Sequence, residues 1–253
     1  MSTLYMHATK EKVALRVIFS GDPWRVDKLK NYLENPEHVG FHREYNTYTG
    51  TYKGVPVTVT STGIGSPSAA IAMEEMYETG MKVALRMGTV MSLRDDLLGQ
   101  FIVPSASMRR DGTSRTYAPL EFPAAADVGL VETINETVSA HGKLVSNGLN
   151  CTMDGFYSQM KASKLAMERG TDLEKSFDEL EALGIEGVDM ESAAMMVAGR
   201  LMGVRTAVLT LVTVLRNLKG TMKDDDREEA EDLLCRIALE SMVNDAQKEG
   251  DTQ

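Results

Sequence analysis

The stretch Val83-Ala84-Leu85-Arg86-Met87-Gly88-Thr89 decides the fold. It opens as an apolar run with the length and composition of a buried strand, and it ends in an arginine, a glycine and a threonine. An interior strand is a costly place for a guanidinium, which keeps its charge and must meet an anion. In open α/β sheets ligands gather at the carboxyl ends of strands. There Gly88 admits a close approach to the backbone and Thr89 offers a hydroxyl. Two readings of Arg86 stay open from this stretch alone: it pairs with a carboxylate of the protein, or it meets the anionic part of a ligand.

Toward the N-terminus, residues 12–19 read as a first strand, ended by Ser20-Gly21-Asp22-Pro23. Asp22 and Pro23 supply the cap and first residue of a helix over 24–33. Arg25, in its first turn, has the wrong sign for the positive end of a helix unless an anion lies between them, the alternative being a solvated helix face. Residues 48–52 and 55–60 flank Lys53-Gly54 as the arms of a hairpin. The next segment, Ser61-Thr62-Gly63-Ile64-Gly65-Ser66-Pro67-Ser68, carries two glycines of a GxGxxG pattern. Serine stands at 68, however, and no acidic residue ends a second strand, which excludes a dinucleotide fold. Ser66 and Pro67 read instead as the cap and first residue of a helix to Glu78.

Toward the C-terminus, residues 100–103 read as a short strand, 109–121 as a polar loop, Val128–Ala140 as a helix and 144–149 as a strand. Leu173, Phe177, Leu180 and Leu183 give 172–183 the spacing of a surface helix. From Val188 a small-residue helix runs to Leu201. Asp189 and Glu191 stand at its start, where the helix dipole favours carboxylates with or without function and where they can accept hydrogen bonds from vicinal hydroxyls. Residues 204–214 form a last strong strand, and 226–243 close the chain as a helix. Strands alternating with helices, plus one hairpin, give the expected fold class: an α/β protein, a three-layer αβα single domain over residues 1–253 around a mixed central sheet.

At 253 residues the chain is long enough for one such domain, and no composition break divides it. Its net charge of −10 repels nucleic acid, and no basic run longer than Met108-Arg109-Arg110 offsets that charge. A few convergent arginines can still make a positive pocket for a small anion. No apolar run approaches a membrane span and no signal-peptide pattern opens the chain, so a cytoplasmic protein without membrane or nucleic-acid partners is expected. Cys151 and Cys235 stand far apart, without metal-ligand spacing, and read as reduced core residues.

Six segments, in order, resemble the nucleoside phosphorylase family: Gly21-Asp22-Pro23-Trp24-Arg25, His42-Arg43-Glu44-Tyr45, Ser61 to Ser68, Leu85-Arg86-Met87-Gly88-Thr89, Ala118-Pro119-Leu120-Glu121-Phe122-Pro123-Ala124 and Asp189-Met190-Glu191-Ser192-Ala193. The block from Ala118 to Ala124 resembles the uridine-cleaving branch. The resemblance implies a pentosyltransferase that splits the N-glycosidic bond of a uridine-like nucleoside with phosphate, giving free base and (deoxy)ribose 1-phosphate. It implies phosphate contacts from Gly21, Arg25, Arg86 and Thr89, with Arg43 reaching from a neighbouring subunit. Met190 and Glu191 match ribose contacts, and His7 matches a histidine lent across a dimer interface to the 5′-hydroxyl. Phe156 matches the aromatic that covers base and sugar, Gln159 and Lys161 the readers of the uracil carbonyls, and Arg216 the arginine behind them. In this resemblance Arg86, Glu191 and Arg216 carry the catalysis. Glu44, Ile64 and Ser68 match a monovalent-cation (K+) site found between subunits in some members. No cofactor is implied beyond inorganic phosphate as co-substrate, and the implied assembly is a homodimer or a homohexamer built as a trimer of dimers.

The chemistry is consistent with these residues. Phosphorolysis builds positive charge on the ribose and negative charge on the departing base, and arginines position the nucleophile as an electrostatic clamp. Uracil leaves as a delocalised anion, so hydrogen-bond donors suffice without a strong general acid. Purine enzymes of the family use an aspartate near the end of the last strand, whereas residues 205–220 contain no Asp or Glu. Hydrolytic nucleosidases of this fold need no phosphate clamp, and Arg25, Arg43 and Arg86 together argue against them. Three departures from the family pattern bear on the base. Thr89-Val90-Met91 replaces a further glycine. Ser158-Gln159-Met160-Lys161 is short and puts lysine, which lacks the planar fork, where arginine is usual. Leu215-Arg216-Asn217 alters the order around the last arginine. They leave two alternatives open: a phosphorylase of altered (purine or broad) base preference, and a non-catalytic nucleoside-binding member.

Overall fold

A computed structural model describes residues 2–250; Met1 and residues 251–253 of the expected domain lie outside the described residues. The first strand, β1 (Arg16–Ser20), leads into α1 (Pro23–Lys30), where the Asp22 side chain accepts a hydrogen bond from the Trp24 N–H at 2.9 Å. β1 starts later than its hydropathy predicts because the Ala14 N–H is taken by the Thr58 hydroxyl, at 2.8 Å, rather than by a neighbouring strand. Then β2 (Glu34–His42), β3 (Tyr45–Tyr52) and β4 (Val55–Ser61) form an antiparallel meander. The β3–β4 hairpin is the expected one. β2 is not legible as a strand, being polar, largely exposed and broken by two register shifts, as edge strands often are.

α2 (Ser66–Glu78) has the expected bounds but a different cap. Gly65, with φ at 101°, holds the capping position, and Ser66 instead donates its hydroxyl hydrogen to the Met190 carbonyl at 2.8 Å. That bond ties the start of α2 to the loop carrying Glu191. After β5 (Val83–Ser92) come β6 (Phe101–Ile102), β7 (Ala106–Arg110), α3 (Thr113–Tyr117), β8 (Ala124–Ala125), α4 (Val128–Ala140), β9 (Val145–Ser146) and β10 (Leu149–Met153). Residues 109–121 are thus not a plain loop. The buried Arg109 guanidinium donates to the carbonyls of Ser114, Ala118, Pro119 and Phe122, so the polar composition reflects a cation organising a turn.

The last part of the chain contains α5 (Lys164–Glu168), α6 (Leu173–Ala182), β11 (Ile185–Asp189), α7 (Ser192–Met202), β12 (Arg205–Leu215) and α8 (Asp224–Gly250). Val188 and Asp189 close a strand rather than open a helix, a correction caused by pairing: β11 lies between β10 and β5, which its short sequence does not announce. Among the described residues twelve strands form one mixed sheet in the order β2-β3-β4-β1-β5-β11-β10-β7-β8, with β12 also on β5 and β6 and β9 beyond it. Alternation along β1 sends Val17 and Phe19 toward α2 and Ile18 into the core shared with α1, α4 and α8, which gives the three layers.

The sheet forks at β5. Along one edge β5 pairs with β12 from Val83 opposite Arg205 to Ser92 opposite Leu215. Along the other it pairs with β1 only as far as Met87, and with β11, antiparallel, at Met91 and Ser92. Gly88, Thr89 and Val90 lie between these two partners. This is a change of strand direction at the carboxyl end of a parallel strand, the kind of place where α/β sheets open a crevice.

Candidate functional site

At the fork lies a cavity of about 850 Å³, large enough for a nucleoside and a small anion. One end is polar. Gly21, Asp22 and Arg25 come from the β1–α1 junction, Gly63 and Ile64 from the turn before α2, Arg86, Gly88 and Thr89 from β5, and Asp189, Met190 and Glu191 from the β11–α7 junction. The other end is apolar, with Val90, Met91, Met160, Val188, Val214 and Leu218, and it holds one further threonine, Thr213. Phe156 and Tyr157, edge to face at 5.1 Å between ring centres, belong to a single wide turn over Phe156–Met160 and are exposed.

Arg86 is 4% exposed. Its guanidinium lies over Gly88, where a Cβ would come within 3.2 Å of Cζ, so a side chain there would push the guanidinium by a few tenths of an ångström. Nε faces the Asp189 carboxylate at 3.4 Å, and Nη2 is paired with Glu191. The first of the two readings of this arginine therefore describes its contacts here: protein carboxylates meet it. Glu191 also accepts from the Gly65 N–H at 2.7 Å. Burial pushes its carboxyl above the ordinary glutamate value, against the pull of Arg86 and with a further push from Asp189. Asp189 accepts from the Thr152 hydroxyl at 2.8 Å and from the Ser192 N–H at 3.2 Å, which fixes the turn into α7.

Arg25 is the less satisfied cation. It is 7% exposed, its Nη2 is 3.5 Å from Glu231 on α8, its Nη1 is 3.4 Å from the Ser20 hydroxyl, and its buried Nε has no hydrogen-bond partner among the described residues. Burial alone would raise the Glu231 carboxyl; the charges of Arg25 and Arg227 outweigh it and hold that group below the usual range. A buried guanidinium with two long contacts and an idle donor is able to take up an oxyanion.

Of the residues singled out from the sequence, Gly21, Arg25, Ile64, Arg86, Thr89, Phe156, Met190 and Glu191 line this one cavity. Others do not. Arg216 does not line it; Glu174, Asp178 and Glu181 of α6 meet its guanidinium at 3.0, 3.1 and 2.6 Å. Gln159 folds back to accept from the Gly155 N–H at 2.8 Å, and the Lys161 ammonium stands 5.8 Å from the Tyr157 ring centre, so neither side chain lines the base end. His7 and Arg43 lie apart from the cavity but beside one another. His7 meets His42 edge-on at 4.3 Å, and Arg43, in the β2–β3 turn, stacks 5.3 Å from the Tyr5 ring. Glu44 and Ser68 gather around Gly63. The Glu44 side chain fills the space of a Gly63 Cβ, and the Ser68 hydroxyl lies 3.5 Å from the Ile64 carbonyl and 3.2 Å from that of Gly65.

The sequence reading missed Tyr157, Met160, Val188, Thr213, Val214 and Leu218. Tyr157 is signalled by its neighbour Phe156. Val188, Val214 and Thr213 read as ordinary strand residues, and only the fork turns them toward a ligand. Among the described residues no group of three or more His, Cys, Asp or Glu is placed to hold a metal ion, and no helix is long and apolar enough to cross a membrane.

A mixed sheet forked at its central strand, with arginines and a carboxylate-bearing turn around the fork, defines a class. The sequence profile of the phosphorylase superfamily matches residues 15–243, and the chain belongs to that superfamily. Within it, the chain is similar to the uridine phosphorylase of Escherichia coli, 32% identical over 230 residues that cover 90% of this chain and 91% of the relative. It is as similar to the uridine phosphorylase of Thermococcus kodakarensis, 32% identical over 86% of this chain and 79% of the relative. The guanosine phosphorylase of Halorubrum lacusprofundi is 32% identical over 84% of each chain. The crystal structure of uridine phosphorylase from Vibrio fischeri superposes with a TM-score of 0.85 at 28% identity, over 96% of this chain and 97% of that one.

Proposed function

We propose that the chain is a phosphate-dependent pyrimidine nucleoside phosphorylase, a pentosyltransferase that converts a uridine-like nucleoside and inorganic phosphate to free base and (deoxy)ribose 1-phosphate. The observation that carries this reading is the convergence of Arg25, Arg86, Thr89 and Glu191 on one cavity with a polar and an apolar end. Its similarity to several uridine phosphorylases over most of its length supports the same reading.

In this reading phosphate enters at the polar end, where Arg25 has an idle donor and Gly21 and Thr89 leave room beside the backbone. Arg86 exchanges its Glu191 contact for a phosphate oxygen, and Glu191 turns to accept from the vicinal ribose hydroxyls. A phosphate oxygen attacks C1′ while the C1′–N bond breaks. Its electron pair goes to the base, and the proton carried by phosphate neutralises the base after it leaves. The arginines hold the nucleophile in line, and the Glu191 carboxylate faces the positive charge that grows on the sugar. Phe156 and Tyr157 cover the sugar and base against water.

Part of the proposal concerns a second copy of the chain. His7 and Arg43 share one exposed patch away from their own cavity, which suits residues lent to a neighbour, and Trp24 and Ile64, 77% and 79% exposed, supply apolar surface beside the cavity. Glu44, the Ile64 carbonyl and Ser68 offer hard oxygen donors around Gly63, a set that suits a monovalent cation such as K+. A broader or purine preference is the second reading, favoured by the similarity to a guanosine phosphorylase and by a base end with few polar groups.

Incubation with uridine, thymidine and inosine, each with and without phosphate, tests the proposal. Base release from uridine or thymidine only when phosphate is present is the expected result. Release from inosine alone turns the preference to purines, and no release from any of them refutes a phosphorylase.

A further inference from the structure

We propose that Thr213 is the specificity-determining residue of the base end, its hydroxyl making the side-chain hydrogen bond to the exocyclic group at position 4 of a pyrimidine. This inference rests on the phosphorylase reading above and names the substrate feature it selects.

The argument starts from backbone register. On β12 Val212 lies opposite Val90 and Val214 opposite Met91, so Thr213 is the extra residue of a β-bulge with no partner across the ladder. Regular strand alternation sends consecutive side chains to opposite faces, yet Thr213 and Val214 both line the cavity. The bulge re-aims the threonine, as bulges beside functional sites do.

Its hydroxyl is also exceptional among the threonines of its strand. Thr206 donates to the Val204 carbonyl at 3.1 Å and Thr210 to the Ile102 carbonyl at 2.8 Å. Thr213, 5% exposed, makes no side-chain hydrogen bond among the described residues, while its main-chain carbonyl accepts from the Met222 N–H at 3.0 Å. The oxygen itself keeps some access to solvent, so the hydroxyl is open to the cavity and able to meet a ligand rather than sealed in the core. Met91, Val188, Val214 and Leu218, which line the same end, offer a base no hydrogen-bond donor.

Position along the fork selects the atom. The Arg86 guanidinium lies over Gly88 and marks the phosphate and sugar level, whereas Thr213 faces the step between Val90 and Met91. That is two to three residues further along β5, about 7–10 Å at the rise of a strand. The far edge of a pyrimidine, not the carbonyl next to the sugar, falls at this depth. A threonine hydroxyl can donate to a keto oxygen or accept from an amino group, so the class selected is pyrimidine nucleosides with either group at position 4.

The test compares wild type, T213V and T213S on uridine, cytidine and 4-deoxyuridine, which carries hydrogen in place of the 4-oxygen. Both kcat/KM with phosphate and Kd by calorimetry are read. T213V is expected to weaken uridine and cytidine by roughly tenfold, the worth of one neutral hydrogen bond, and to leave 4-deoxyuridine and the KM for phosphate unchanged. T213S, which keeps the hydroxyl, restores most of the loss. Equal values for T213V and wild type on uridine overturn the proposal, and so does an equal fall on all three nucleosides, which marks a packing role. Should wild type cleave none of them, the pyrimidine reading fails, and the calorimetric pattern alone decides on Thr213.

Discussion

Replacing Arg25 by methionine separates a ligand-binding cation from a structural one. R25M removes the guanidinium and keeps a flexible unbranched stem in its place. In the folded chain Arg25 makes only contacts of 3.5 and 3.4 Å and leaves Nε unpaired. When it is lost Glu231 keeps Arg227 at 2.9 Å, so the fold loses less than when a buried carboxylate is left with no counter-charge. Phosphate loses a charge-assisted hydrogen-bonding partner, worth about 1.5–3 kcal/mol, which is roughly a 10- to 150-fold rise in the KM for phosphate. Arg86 is the control. R86M strands Asp189 and Glu191, 3% and 4% exposed, without their counter-charge. Breaking a buried pair in this way costs about 3–5 kcal/mol. Initial rates of base release against phosphate at saturating nucleoside, beside thermal unfolding of both variants, read the two effects. The reasoning is refuted if R25M leaves the KM for phosphate within about threefold of wild type, or if it destabilises the protein as much as R86M does.

The remaining expectations concern charge and access. R216A should leave kcat/KM nearly unchanged and cost at most about 1 kcal/mol, because its partners are the surface carboxylates of α6; a loss of activity beyond about tenfold would restore it to the base site. The Glu191 carboxyl, raised by burial, keeps its proton to a higher pH than the ordinary value of 4.5. The acid limb of the kcat/KM profile should accordingly lie above that value and vanish in E191Q. The same shift means that the folded state binds this proton more tightly than the unfolded one. Its contribution to stability is present below 4.5 and is lost as pH rises through the raised value, and unfolding of E191Q against pH should lack that loss. Burial pushes the thiols of Cys151 and Cys235 up to about 12, so thiol reagents at neutral pH should label neither until the protein unfolds.

What the sequence made legible follows physical scale. Val128–Ala140 and Ser66–Glu78 emerge with the expected bounds because helical periodicity and turn residues are local signals. β11 and β2 do not, since one is too short and the other too polar to be read without its neighbours, and both are strands by virtue of pairing. The polar end of the site was legible because arginine in a buried strand and carboxylates before a small-residue helix violate local expectation. Its apolar end was not, because valine, methionine and leucine look the same in a core as in a pocket. Arg216 is assigned to the base only by analogy, and the acids at 174, 178 and 181, spaced as one face of α6, meet its charge outside the cavity. Thr213 shows the limit of pattern, since a bulge changes the facing of a side chain without changing a residue type.

The central claim is that bond cleavage belongs to bound phosphate and not to water. Phosphorus NMR of the protein with uridine and inorganic phosphate, read beside uracil release, tests it most directly. The account predicts one ribose 1-phosphate for each uracil and no release when phosphate is left out. Uracil released at the same rate without phosphate, with the phosphorus signal unchanged, would contradict it.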